Sequence, residues 1–148
     1  MATTRRRGTR PDFSPGWEPF TLPEDEVVRR GGALFDQGLY WEAHEVWEEA
    51  WRMRAGRPDR DFLKGMIQGT VAVWHATQGN CKGAVSVAAR AVGYLEPYRP
   101  AREGVDVDAF VAALRRLADE CRAAMAAGRA PQVDMIRLEL GGPGDGPS

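Results

Sequence analysis

Tyr40, His44, Trp47 and Trp51 are separated by four, three and four residues. At about 100° per residue, a helix gathers them into one narrow stripe. Ala43 and Ala50 flank that stripe, so this is the face that must pack inward. His44 sits at its centre, between indoles. Glu48 follows one turn later at the edge, beside Trp41, and Glu45 lies further round. The spacing predicts a helix from Tyr40 to Met53. It is acidic early (Glu42, Glu45, Glu48, Glu49) and basic late (Arg52, Arg54), as the helix dipole favours.

Helical patterns continue on both sides of this stretch. Thr21-Leu22-Pro23 precede a first helix with Glu24, Asp25 and Glu26 in its first turn, and Gly38 ends it. Val27, Val28, Leu34 and Phe35 supply its core side. Gly56, Pro58 and Asp59 form a turn before a third helix from Asp61 to Thr77, and Gly79-Asn80 close that helix with residues that tolerate a left-handed cap. A fourth helix, Lys82 to Leu95, carries Ala84, Val85, Ala88, Val92 and Leu95 on one side, and Pro97 and Pro100 stop it. A fifth, Val107 to Ala127, sets Val107, Phe110, Val111, Leu114, Leu117, Ala118, Cys121 and Met125 on one stripe and ends at Gly128. Residues 1–22, with Arg5, Arg6, Arg7, Arg10 and three prolines, read as a flexible arm. Partial alternation over 132–140 reads as an extended segment lying across the helices, and 141–148 as a disordered Gly/Pro tail. The expected architecture is all-α, a compact bundle of about five helices forming a single domain over residues 23–140.

The third helix is apolar around most of its circumference: Phe62, Leu63, Met66, Ile67, Val73 and Trp74, with Gly65, Gly69 and Ala72 allowing close approach. Such a helix is central and buried. Its polar residues nevertheless line up. Lys64, Gln68, Val71, His75 and Gln78 form one continuous strip. An unpaired buried polar group costs about 1–3 kcal/mol, so the economical arrangement sets this strip against the His44 and Glu48 side of the second helix. His44, Glu48, Lys64, Gln68 and His75 then form one satisfied network, and Tyr40, Trp41, Glu45, Trp47, Trp51 and Asn80 complete the candidate pocket.

Three readings of that set stay open. In the leading one the pocket takes a small ligand or a protein segment. In the second the domain is a hydrolase-like enzyme, with His44 or His75 paired with Glu45 or Glu48 for acid–base work. Its metal-dependent variant uses His44, Glu48 and His75 as two imidazoles and a carboxylate. HEVWE is not HExxH, however, and the third helix lacks the ExxH pair of carboxylate di-metal bundles, so no cofactor is expected. In the third reading these residues are satisfied core polars that fix helix register, in a structural or assembly role. Nothing in the chain supplies a phosphate loop or cofactor motif, and Lys64 is most simply a counter-charge to Glu48 or Glu45.

The stretch LFDQGLYWEAHEVWEEAWR, followed by FLKGMIQGTVAVWHATQGNCKGA, resembles the domain-of-unknown-function 309 family, whose pattern reads G-x-YxEAHExWEexW and then lkGliQxAvaxxhxxxGNxxGA. The resemblance spans Gly31 to Leu95 and lands on Gly38, Tyr40, Glu42, Ala43, His44, Glu45, Trp47, Glu48 and Trp51, then on Lys64, Gly65, Gln68, His75, Gly79, Asn80, Gly83 and Ala84. Met66 stands where the family commonly has leucine, a volume-conserving exchange. The resemblance implies a compact all-helical fold and no particular activity. GLYWEAHEVWEEAW and GNCKGAVSVAARAVGYL are also similar to tetratricopeptide helix hairpins, which bind partners.

Composition narrows the setting. The chain has 148 residues, 43% hydrophobic and 28% charged, with a net charge of −1. That suits one soluble domain with a real core and no field to attract nucleic acid. Cys81 and Cys121 stand forty residues apart on helical patterns and read as reduced thiols. No apolar run reaches the ~18 residues of a membrane span. A cytoplasmic protein is expected, with an unknown small ligand or protein as partner and no membrane association.

Overall fold

The computed structural model describes residues 24–133. They run in the order α1 (Glu24–Asp36), α2 (Tyr40–Met53), α3 (Arg60–Thr77), α4 (Cys81–Leu95), a 3-10 turn (Glu96–Tyr98), β1 (Ala101–Arg102), β2 (Val105–Asp106) and α5 (Val107–Ala127). The expected all-α bundle forms, with helix boundaries within one residue of those read from the sequence. The N-terminal arm, the cap at Thr21, the extended segment beyond Val133 and the Gly/Pro tail lie outside the described residues.

α3 is central because it has no polar face wide enough to leave in water. Phe62, Leu63, Met66, Ala72 and Val73 are fully buried. α2, α4 and α5 all pack on α3, while α1 packs on α2. Two α3 glycines set the spacing. A Cβ on Gly65 would lie 2.6 Å from Leu95 Cγ, and one on Gly69 would lie 2.6 Å from Phe110 Cζ. Only a missing side chain lets α4 and α5 approach this closely.

Trp47, at the heart of the aromatic stripe of α2, is completely buried, and its indole Nε1 donates to the Val28 carbonyl at 3.0 Å. That bond ties α2 to α1 across the core and satisfies the polar end of the indole. Gly31 makes room for the ring, since a Cβ there would lie 2.3 Å from Trp47 Nε1. Phe35 fills the space beyond. It meets Tyr40 edge-on with centroids 5.0 Å apart and Phe110 edge-on at 5.7 Å.

Three local expectations change. Met125 is 48% exposed rather than core, and Ala124 takes the fully buried position in that turn of α5. Gly79 does adopt the left-handed conformation (φ 79°), but Asn80 (φ −88°) belongs to the next helix, whose first turn it caps. The connection from α4 to α5 also holds a two-residue hairpin, β1 pairing antiparallel with β2, turning at Glu103 (φ 52°) and Gly104 (φ 83°).

This hairpin is pinned by charge. Arg54, just past α2, is 1% exposed and donates to both carboxylate oxygens of Glu103, at 2.9 and 2.6 Å. A bidentate pair of this kind is what allows a guanidinium to be buried. Asp59, at the start of α3, lies 3.0 Å from Arg57, 3.3 Å from Arg102 and 3.6 Å from Arg54. Burial alone would raise the Asp59 carboxyl pKa. The hydrogen bond from Arg57 and the charges of Arg54, Arg57 and Arg102 outweigh burial and hold it below its ordinary value.

Two outcomes are expected. Gly31→Ala should destabilise the fold by about 1–3 kcal/mol through overpacking against Trp47. Gly93→Ala, with open space around its added methyl, should gain about 0.5–1 kcal/mol; urea unfolding midpoints compare the two. Because the folded pKa of Asp59 is depressed, its stabilising contribution is complete above the unfolded pKa and fades as pH falls through the folded value. The stability difference between wild type and Asp59→Asn should therefore shrink as pH drops from about 5 to about 2.

Candidate functional site

Where the first half of α2 faces the second half of α3, the aromatic side chains between them do not fill the gap. A cavity of about 70 Å³ remains, lined among the described residues by Tyr40, Trp41 and His44 of α2 and Thr70, Val71 and Trp74 of α3. Beside it lies a groove of about 610 Å³ formed by Gly38, Leu39, Tyr40, Trp41, Glu42, Trp74, Thr77, Gln78 and Val133. Tyr40, Trp41 and Trp74 belong to both. Leu39 (40% exposed) and Trp74 (37% exposed) present large apolar surface at this rim.

The side chains of the cavity hold one another in order. His44 stacks on Trp41 with ring centroids 5.1 Å apart and planes 24° apart. On its other side, His44 Nε2 lies 3.5 Å from Glu48 Oε2, and Glu48 is also 3.5 Å from Arg52. Thr70 is fully buried, and its hydroxyl donates back to the Met66 carbonyl at 2.8 Å, so that donor is committed within α3. Trp41 differs. Its indole Nε1 is buried and has no hydrogen-bond partner among the described residues.

The residues singled out from the sequence divide into groups rather than one network. His44, Glu48, Trp41 and Tyr40 come together at the cavity. Lys64 does reach α2, but its Nζ lies 5.0 Å from the centroid of the Trp51 ring, a ring already covered by Arg60 at 3.7 Å. Trp51 is thus a half-buried platform for two cations. His75 turns to its own helix end, where Asn80 Nδ2 lies 3.1 Å from His75 Nδ1, and its ring sits tilted against Trp74. Trp47 is pure core. Glu45 is buried, at 8% exposure, and Gln68 is half-buried in the polar strip of α3. The helical geometry behind the single network assumed that the strip of α3 faces α2 squarely. Val71 of that strip does line the recess, but Thr70 and Trp74 flank it there in place of Gln68 and His75.

The metal variant fares accordingly. Among the described residues, no group of three histidine, cysteine or carboxylate side chains could hold an ion. His44 and Glu48 are adjacent, but His75 is engaged with Asn80. Thr70 and Trp74 lie outside the strip read from the sequence, whereas Val71 lies within it. The available signal was Trp74 itself, a large aromatic on the same side of α3 as Thr70 and Val71.

Fold and cavity define a small all-α domain with an aromatic recess between its second and third helices. Residues 28–87, which include all of α2 and α3, match the family model described as Domain of unknown function (DUF309), and the resemblance read from the two motifs is borne out. No curated protein and no solved structure matches the chain. Among the described residues, no helix is long and apolar enough to cross a membrane.

The part of the motif around Asn80 has a measurable structural role. Its Oδ1 accepts from Gly83 N at 3.0 Å, capping α4, while its amide meets His75. Asn80→Ala should cost about 0.5–2 kcal/mol of stability, and Asn80→Asp should retain most of the cap. Thermal unfolding of the two variants checks this.

Proposed function

We propose that this domain binds a small ligand in the aromatic recess between α2 and α3, with the adjoining groove taking the rest of the molecule. The observation that carries this reading is the Trp41 indole N–H, buried without a partner beside the cavity that Trp41 itself lines. Leaving such a donor unsatisfied costs about 1–3 kcal/mol, and a buried polar group of this kind calls for a specific explanation. A ligand acceptor supplies one. Concave, mostly aromatic walls with a small number of placed polar groups are the usual form of a small-molecule site.

The His44–Glu48 pair then acts on orientation rather than on chemistry. Glu48 holds the outer nitrogen of His44, and His44 stacks on Trp41 and fixes the plane of its indole. Both rings of the stack stand on one helix, α2, three residues apart, which gives them the rigid support that precise recognition requires.

A library of small soluble fragments, followed by 1H–15N spectra, tests the reading. Some fragments should shift the Trp41 indole signal together with the Thr70 and Val71 amides. Val71→Phe, or the milder Val71→Met, fills the recess and should abolish those shifts while the helical circular dichroism is retained. Absence of any saturable shift in wild type, or its persistence in a filled variant, would refute ligand binding at this recess.

A further inference from the structure

Resting on the binding reading above, we infer that the ligand enters the recess with a neutral carbonyl-type oxygen (amide, ketone or ester) carried on a small apolar group. Three features of the lining select this class.

Size comes first. An apolar cavity of about 150 Å³ holds benzene, so one of about 70 Å³ admits roughly three to five heavy atoms. What fits is a terminal group, with the body of the molecule continuing into the groove across the shared faces of Tyr40, Trp41 and Trp74.

Polarity comes second. Indole nitrogen donates and cannot accept, so the buried Trp41 Nε1–H requires an acceptor. The Thr70 hydroxyl proton is already spent on the Met66 carbonyl. The other walls are Tyr40, Trp74, the aliphatic Val71 and the imidazole of His44, which stacks on Trp41 with its Nε2 3.5 Å from Glu48; the hydrocarbon among them favours methyl or methylene around the acceptor.

Charge comes third. A carboxylate moved into such a site needs a counter-charge or several donors; none of the six lining side chains is an arginine or lysine, and any charge on the remaining candidate, His44, is already countered by Glu48 3.5 Å from its Nε2. A quaternary ammonium would gain from the aromatic faces. It offers no acceptor, however, and leaves the Trp41 N–H unsatisfied against a positive charge. A neutral acceptor answers all three features together.

Three probes of similar bulk and different charge separate the classes: N-methylacetamide, acetate and tetramethylammonium, each titrated into full-length protein. The Trp41 indole 1H–15N signal, assigned by its loss in Trp41→Phe, is the readout. N-methylacetamide should shift it saturably, with an affinity in the millimolar range expected of so few atoms. Acetate and tetramethylammonium should bind at least tenfold more weakly. Trp41→Phe keeps an apolar ring and removes the donor, so N-methylacetamide binding, followed at the Thr70 and Val71 amides, should fall about tenfold.

Tighter binding of acetate or tetramethylammonium overturns the class while leaving the recess a binding site. So does unchanged amide binding in a folded Trp41→Phe. Should Trp41→Phe fail to fold, the charge order of the three probes on wild type decides alone. If none of the three binds although library fragments do, the class is wrong; if neither probes nor fragments bind, the binding reading falls with it.

Discussion

α3 cannot be left on a surface, and the rest of the domain is arranged to cover it. Its apolar residues run most of the way round the helix, and Phe62, Leu63, Met66, Ala72 and Val73 are all fully buried. Gly65 and Gly69 decide where the covering helices can sit. Leu95 and Phe110 fill the space that a Cβ at either position would need. With α4 and α5 pressed against those glycines, α2 is left to cover a side of α3 that carries bulkier residues. Thr70, Val71 and Trp74 hold the two helices apart there, and Tyr40, Trp41 and His44 meet them without closing the gap. The recess is thus a consequence of close packing elsewhere.

α2 is fastened at several points along its length. Towards α1, Trp47 donates to the Val28 carbonyl in the space left by Gly31. At its far end, the buried Arg54 clasps Glu103 of the hairpin, and Asp59 gathers three arginines beside it. Arg60 and Lys64 close over Trp51 from α3. Exposed pairs such as Arg52–Glu49 add little. The buried ones fix the position of the helix and so set the geometry of the recess.

The five helices were legible because period-3.6 patterning, Gly and Pro punctuation and charge order all agree along this chain. Burial of Trp47 and the central place of α3 followed from the same signal. The hairpin was not legible, because two residues per strand carry no alternation to detect and its anchor, Arg54, is distant from Glu103 in sequence. Asn80 was ambiguous for a local reason. Asparagine suits both the end of one helix and the start of the next, and the hydrogen bond to Gly83 decides for the second. At the site, Tyr40, Trp41 and His44 of α2 face α3, and the α3 residues opposite them lie a fraction of a turn from the centre of the polar strip legible in the sequence. That rotation keeps Val71 and replaces Gln68 and His75 with Thr70 and Trp74, changing a hydrogen-bonded network into an aromatic recess. A helical wheel does not fix the angle at which two helices meet; side-chain volumes at the contact do.

Ligand binding at the recess turns on what satisfies the Trp41 indole. A high-resolution crystal structure of protein purified without denaturation, with the density around Trp41 Nε1 examined directly, is the decisive measurement. Ordered non-protein density is expected in the recess, with an acceptor atom about 3 Å from Nε1. An indole that donates to a carbonyl or side chain of the protein itself, with α2 and α3 closed over the recess, would contradict it.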